Sequence, residues 1–154
     1  MRSEYFYAQS FSILNNCGFD ITAFLNPDYN YTAYYQVAAG QQTTIGELQW
    51  DSLSVTAGVG TCTRVFDSGC SGELVNEVMI EQQGAGGNFA LAEPNQYGTW
   101  VNAQFEWSVG DSLTSTGCSE EDYMLPYPQT VSSLSVIYCK NGVSFCSATN
   151  YEGM

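Results

Sequence analysis

FSILNNCGF at residues 11–19 and VIYCKNGVSFC at residues 136–146 are the two stretches that decide the fold. Both are rich in β-branched and aromatic residues, which favour strands, and both contain cysteine. If Cys17 pairs with Cys146, the chain between them becomes one closed loop. In the chain-entropy description, a cross-link over so long a loop stabilises the folded state by about 4–5 kcal/mol. The sequence therefore predicts that the two ends of the chain meet in one disulfide-closed domain.

The composition limits the class of protein and its partners. The chain has 154 residues, enough for one domain with its own core. Sixteen Asp and Glu against three Lys and Arg give a net charge of −13. Nucleic acids and anionic membranes are bound through many basic side chains, so this balance argues strongly against both as partners. Hydroxyl and amide side chains and eleven tyrosines instead indicate a surface suited to hydrogen bonding and stacking.

The cysteines indicate an oxidising compartment. Six cysteines, an even number, together with the absence of histidine, are typical of three disulfides in a secreted protein. No CxxC spacing is present, so a zinc cluster fits poorly, and we predict no metal and no cofactor. The sequon Asn30-Tyr31-Thr32 predicts a glycosylated extracellular loop. We therefore expect a secreted, extracellular protein.

Strand-like patterns recur along the chain at short spacing, with turn residues between them and little helical periodicity. Residues 74–82 alternate with a period of two; a helix beginning near Ser71 is the alternative left open there, although Val and Ile favour a strand. Residues 16–20 predict a hairpin between the first two strands. Asn-Gly at residues 141–142 predicts a second hairpin, which would close the domain.

Together these patterns predict an all-β fold, a disulfide-stapled antiparallel β-sandwich. We expect the sandwich to span residues 11–146. Residues 1–10 are predicted to be a peripheral N-terminal extension, and residues 147–154 a C-terminal tail.

The absence of histidine removes the Ser-His-Asp and Cys-His nucleophile systems. Paired carboxylates remain. Glu77 and Glu81 are about 13 Å apart at the rise of a strand, too far for either glycosidase geometry. Each glutamate could instead pair across a cleft with one of the other acidic residues, which are Glu93, Asp67 and Asp111. A solvated acidic face is the alternative interpretation.

Aromatic residues are the second group of candidates. Tyr97, Trp100 and Trp107 could stack on sugar rings. The alternative interpretation for Trp100 and Trp107 is that they are core or strand-surface aromatics.

The order of these features resembles the thaumatin-like proteins, especially the short secreted fungal forms. FSILNNC resembles that family's opening strand, and the span from Cys62 to Cys70 resembles its small disulfide loop. Further similar segments are AGQ at 39–41, LVNEV at 74–78, LAEPN at 91–95 and VSFC at 143–146. The resemblance implies a β-sandwich in which the first and last cysteines pair. The implied bonds are Cys17–Cys146, Cys62–Cys70 and Cys118–Cys139.

The resemblance also implies an acidic cleft associated with β-glucan binding. Glu77 matches the family's cleft glutamate, and Glu93 falls near a cleft aspartate. The family's cleft arginine has no counterpart, since Val59 and Gly60 stand there, and its cysteine-rich second domain is missing.

These observations lead to three predicted functions. The first is non-enzymatic binding of polysaccharide or cell-wall glycan, with Glu77, Glu93, Tyr97 and Trp100 as the ligand-binding residues. The second is a structural or assembly protein, a coat or filament subunit that associates with copies of itself through its Tyr- and amide-rich surface. The third is a weak β-glucanase. No catalytic residue is assigned.

Overall fold

The computed structural model of the protein describes residues 5–27, 33–60, 74–75, 77–82, 88–93, 100–101, 103–108, 110, 125–139 and 145–146. Regular structure in this part of the chain consists of fourteen β-strands. Their bounds are β1 Phe6–Asn15, β2 Ile21–Pro27, β3 Ala33–Val37, β4 Gln42–Trp50, β5 Leu53–Val59, β6 Leu74–Val75, β7 Glu77–Gln82, β8 Asn88–Glu93, β9 Trp100–Val101, β10 Ala103–Trp107, β11 Leu125–Pro126, β12 Thr130–Val131, β13 Leu134–Tyr138 and β14 Phe145–Cys146.

The first sheet has five strands and is built around β1. One edge of β1 pairs antiparallel with β4 along most of its length. The other edge pairs in parallel, first with β12 and then with β13. Strand β10 continues the sheet beyond β13 in the antiparallel direction. The amino-terminal strand therefore lies inside the sheet, beside strands from the end of the chain.

The second sheet has nine strands and is centred on β5. One edge of β5 pairs with β2, which in turn pairs with β3. The other edge pairs with β7 and, further along, with β6. Strands β8 and β11 extend the sheet past β7, whereas β9 and β14 extend it past β6. Within the described residues β3 pairs only with β2 and so forms one edge, which matters for the site described below.

The hydrophobic core combines the alternate residues of both sheets. In β1, Phe11 and Ile13 are fully buried, and in β2, Ile21 and Ala23 are fully buried. This alternation is the period-two pattern of strands that bury one face. The prediction of an all-β, disulfide-stabilised sandwich is confirmed. The helical alternative for residues 74–82 is wrong, because β6 and β7 occupy that stretch.

The prediction that residues 1–10 form a peripheral extension is wrong for residues 6–10, whereas residues 1–4 lie outside the described residues. Strand β1 begins at Phe6, and Phe6 and Ala8 are buried in the core. A β-bulge explains the error, because the register of β1 against β4 shifts between Ala8 and Phe11. An extra residue at a bulge breaks the alternation of two, so the pattern before Phe11 does not appear continuous with the pattern after it.

Both predicted hairpins are wrong as well. Strands β1 and β2 lie in different sheets, so residues 16–20 cross from one sheet to the other. Strand β14 pairs with β9 and not with β13. Strand β13 already has β1 on one edge and β10 on the other, which leaves no edge for a hairpin partner. The Asn-Gly pair at 141–142 lies outside the described residues.

The disulfide differs from the one that the family resemblance implies. Cys17 is bonded to Cys139, with the Cα atoms 5.2 Å apart. Pairing of Cys17 with Cys146 and of Cys118 with Cys139 is therefore wrong. The parallel register explains the observed bond: Asn15 is opposite Tyr138, so the residues just past both strand ends meet. The predicted Cys62–Cys70 bond lies outside the described residues.

The Asn15 side chain organises the chain next to this disulfide. It is fully buried, and its Oδ1 accepts a hydrogen bond from the Cys17 backbone N–H at 2.9 Å. Its Nδ2 donates to the carbonyl of Phe19 at 2.8 Å and to that of Val37 at 2.9 Å. One buried amide thus joins the end of β1, the sheet-crossing segment and the end of β3.

Replacing Asn15 by alanine tests this role. We expect Asn15→Ala to lower the free energy of unfolding by about 3 kcal/mol, because two buried backbone groups and one part-buried carbonyl lose their partner. Urea unfolding of the disulfide-bonded protein measures the change. The matched control is Asn16→Ala, since Asn16 is exposed and should change stability by less than about 0.5 kcal/mol. Equal effects of the two substitutions would contradict the role of Asn15.

An aromatic cluster fills the other end of the core. The Tyr127 ring packs edge-on against Trp107, with ring centroids 4.9 Å apart, and against Phe6 at 5.7 Å. The Trp107 ring is buried, so the interpretation of Trp107 as a core aromatic is confirmed. The hydroxyls of Tyr127 and Tyr138 are buried and have no hydrogen-bond partner within the part of the chain that the structure describes. Burial raises the pKa of both tyrosines above the ordinary value of 10.0.

These raised pKa values predict loss of stability in alkali. The unfolded chain releases both phenolic protons above pH 10.0, while the folded protein keeps them, so stability falls as pH rises above this value. Above this pH, each tyrosine lowers the free energy of unfolding by an amount that approaches about 1.4 kcal/mol per pH unit. Urea unfolding between pH 9 and pH 12 measures the slope. The Tyr127→Phe, Tyr138→Phe double variant should have a shallower slope, and an unchanged slope would contradict the assignment.

Candidate functional site

A pocket of about 220 Å³ opens where β2 begins and β3 ends. Its lining consists of Asp20, Ile21, Gln36, Val37, Ala38 and Gly60. We call it the Asp20 pocket. Ile21 and Val37 are paired in the sheet and belong to the core, so the polar lining comes from Asp20 and Gln36. Both of these side chains are exposed, which makes them available to a ligand.

Backbone hydrogen bonds hold the Asp20 pocket in shape. The Ala39 N–H donates to Asp20 Oδ1 at 3.0 Å, and the Gly60 N–H donates to the Asp20 carbonyl at 2.7 Å. The Thr22 hydroxyl donates to the Gly60 carbonyl at 2.7 Å. Gly60 has a φ of +82°, in the left-handed region that favours glycine. The second carboxylate oxygen of Asp20, Oδ2, has no hydrogen bond within the described residues.

An exposed tyrosine stands beside the pocket on the same strand. Tyr34 has 56% of its surface exposed and is two residues before Gln36 in β3. Phe24 is opposite Tyr34 in the register of β2 and β3, and the two ring centroids are 6.0 Å apart. Phe24 is buried. The buried ring therefore supports the exposed one, as in a platform for stacking.

The backbone places two predicted site residues at the level of this tyrosine. Phe24 pairs with Thr56 of β5, and the next pair along β5 joins Val55 to Val78 of β7. Because β5 and β7 are antiparallel, Glu77, the residue before Val78, is level with Thr56, the residue after Val55. Val78 and Ile80 are buried in the core, which puts position 77 on the outward side of the sheet. We call this side of the nine-stranded sheet the outer face.

Glu77 and Glu93 are direct partners in the register of β7 and β8. The sequence predicted that these two acidic residues could pair across a cleft; the structure instead brings them together on adjacent strands.

The other predicted site residues either lie farther along the sheet from Glu77 and Tyr34 or fall outside the described residues. Trp100 lies in β9, opposite Leu74 on one side and Cys146 on the other, so it belongs to the same sheet but to its far half. Tyr97 and Asn30 lie outside the described residues, as do Asp67 and Asp111.

The electrostatics favour uncharged hydrogen-bond donors. None of the described residues is basic, since Arg2, Arg64 and Lys140 all lie elsewhere in the chain. On the five-stranded sheet, a hydrogen bond with Glu47 raises the pKa of Tyr7. The Tyr7 hydroxyl thus donates to the Glu47 carboxylate. Among the described residues, no group of three or more His, Cys, Asp or Glu is arranged to hold a metal ion.

Sequence reasoning missed Asp20, Gln36 and Tyr34. It placed Asp20 in a hairpin turn and Gln36 in a strand without a role. The exposed Tyr34 opposite a buried Phe24 depends on the pairing of β2 with β3, which a single sequence does not display. The only available signal was the density of tyrosine in residues 29–35.

The comparisons with known proteins define the fold alone. No known family profile matches the chain, and no curated protein matches it. Among solved structures, the chain is similar to the crystal structure of the protein elicitor MoHrip2 from Magnaporthe oryzae. The identity is 14%, the match covers 85% of this chain and 98% of that chain, and the TM-score is 0.51. None of the described residues forms a helix long and apolar enough to cross a membrane.

Proposed function

We propose that the protein is an extracellular, non-enzymatic glycan-binding protein that uses the outer face of its nine-stranded sheet. The observation that carries the proposal is Tyr34, which is more than half exposed and packs against the buried Phe24 ring on the neighbouring strand. The polar Asp20 pocket adjoins it. Glu77 and Glu93 lie on neighbouring strands. Glu77 is level with Thr56, which is in turn level with Tyr34 across the sheet.

Polysaccharides match this surface chemically. Sugar rings present an apolar face that packs on aromatic rings and a rim of hydroxyl donors that suits carboxylate and amide oxygens. A chain with a net charge of −13 and sixteen acidic residues repels anionic polymers. The proposed ligand is therefore a neutral cell-wall glycan. Trp100, in the far half of the sheet, remains a predicted contact, and so does Tyr97.

The extracellular location is part of the proposal and is supported by the Cys17–Cys139 disulfide. Disulfides persist mainly in oxidising compartments. Glycosylation at Asn30 belongs to the same proposal. The resemblance to thaumatin-like proteins stays a prediction; its expectation of glucan binding agrees with this function, although its disulfide pairing does not agree with the structure.

Hydrolysis is the less favoured activity. A glycosidase places two carboxyl groups on either side of the scissile bond. Glu77 and Glu93 instead occupy neighbouring positions on one side of one sheet, where a bound chain would lie across both. We therefore expect no new reducing ends when the protein is incubated with β-glucan.

Self-assembly is the second candidate function, and strand β4 favours it. Within the described residues β4 pairs only with β1, so one edge of a nine-residue strand is unpaired. Exposed strand edges are templates for pairing between chains. Gly46, with a φ of +101°, and the neighbouring register shifts interrupt this edge, and bulges of this kind discourage such pairing. Glycan binding is therefore the preferred function.

Replacing Tyr34 tests the proposal. We expect the protein to be retained on insoluble β-glucan or chitin, and Tyr34→Ala to weaken retention by about two- to tenfold through loss of ring stacking. Binding isotherms on the insoluble polymer measure the change. Tyr5→Ala is the matched control, because Tyr5 is 48% exposed at the start of the five-stranded sheet, far in sequence and in sheet position from Tyr34.

Two results would contradict the proposal. One is a protein that none of the neutral polysaccharides retains. The other is a large species on size-exclusion chromatography that forms without sugar and survives Tyr34→Ala, which would favour self-assembly.

A further inference from the structure

We propose that the Asp20 pocket binds a single neutral pyranose ring through two adjacent hydroxyl groups, while Tyr34 stacks on the neighbouring ring of the same glycan. The inference rests on the proposed function and deepens it, because it names the ligand class and a subsite that sequence reasoning did not identify.

The hydrogen-bonding groups of the pocket match a pair of hydroxyls. Asp20 Oδ1 is occupied by the Ala39 N–H, which leaves Oδ2 as a charged acceptor. A hydroxyl that donates to a carboxylate forms a short, charge-assisted hydrogen bond. The carboxamide of Gln36, which lines the same pocket, both donates and accepts. One hydroxyl can therefore donate to Asp20 while its neighbour exchanges a hydrogen bond with Gln36.

The size of the pocket limits the ligand. Pockets for drug-sized molecules enclose about 300–1,000 Å³, and the Asp20 pocket measures about 220 Å³. This volume suits one sugar ring and not an oligosaccharide. Tyr34 and Gln36 are two residues apart on one strand and so about 6.7 Å apart on the same side. A glycan that follows β3 therefore meets the pocket with one ring and the tyrosine with another.

The frame of the pocket is rigid without a ligand. The Val37 carbonyl accepts from buried Asn15 Nδ2, and the Gly60 N–H donates to the Asp20 carbonyl. The Cys17–Cys139 disulfide fixes the segment that leads into Asp20. A site supported in this way loses little entropy when it binds.

Charge selects against two other ligand classes. A uronic acid or a phosphate would bring a negative charge to the Asp20 carboxylate in a strongly acidic protein, which is unfavourable. A calcium ion takes six to eight oxygen ligands, usually with several carboxylates. Among the described residues, Asp20 is the only acidic one that lines the pocket. Neutral hydroxyl groups are the remaining match.

Titration of the full, disulfide-bonded chain followed by two-dimensional ¹H–¹⁵N NMR tests the inference. The probes are the methyl pyranosides of glucose, galactose and mannose, with sodium glucuronate and calcium chloride as comparisons. We expect at least one neutral glycoside to shift the amide signals of residues 20, 36–39 and 60. Asp20→Asn keeps the acceptor for the Ala39 N–H but loses the charge, and should weaken binding at least about tenfold.

Two further variants make the test specific. Gln36→Ala changes an exposed side chain and should also weaken binding without altering the melting temperature. Glu106→Gln removes the same charge from an exposed position of β10 in the other sheet and should leave the affinity unchanged. Equal weakening by Asp20→Asn and Glu106→Gln would overturn the inference, because it would reflect net charge alone.

The remaining outcomes separate this inference from the proposed function. If wild type and Asp20→Asn are retained equally on insoluble glucan and no glycoside shifts the pocket signals, the pocket inference fails while glycan binding stands. If neither polymer nor glycoside binds, both fail. Glycoside binding at the pocket without polymer retention supports the pocket and overturns the proposed function. Shifts caused only by calcium or glucuronate overturn the pocket inference.

Discussion

The parallel pairing of β1 with β13, locked at its end by the Cys17–Cys139 bond, is the constraint on which the rest of the structure depends. It joins two strands that are far apart in sequence and places the first of them inside a sheet. Buried Asn15 then directs the chain from this sheet to the other one through its hydrogen bonds to the Cys17 N–H and the Phe19 carbonyl. This junction therefore fixes where β1 ends in one sheet and how the chain enters β2 in the other.

The same junction connects fold to function. The third hydrogen bond of Asn15 reaches the Val37 carbonyl at the end of β3, and the segment that it shapes ends at Asp20. Asp20, which lines the polar pocket, therefore stands three residues after the cross-linked Cys17. The exposed Tyr34 continues this surface along β3. A binding face supported by buried residues in this way can hold a sugar ring without reorganising.

Several features could be predicted from the sequence because they depend on local pattern. Period-two alternation revealed most strands, and the even number of cysteines indicated disulfides. Glu93 was one of three partners that the sequence offered for Glu77 across a cleft; the register of β7 and β8 instead sets the two positions opposite each other on neighbouring strands. Features that depend on which strands meet were not predictable. The bulge after Ala8 hid the first half of β1, and the parallel partner of β1 decided that Cys17 bonds to Cys139. The Asp20 pocket depends on the pairing of β2 with β3, which sets Ile21 opposite Val37.

Disulfide mapping tests the central constraint most directly. Trypsin cleaves after Lys140 and so separates Cys139 from Cys146; pepsin digestion without reductant and mass spectrometry then identify the linked peptides. The structure predicts a fragment that joins Cys17 to Cys139 and disappears on reduction. A fragment that joins Cys17 to Cys146 would contradict the account, because the parallel register of β1 and β13 would no longer carry the cross-link.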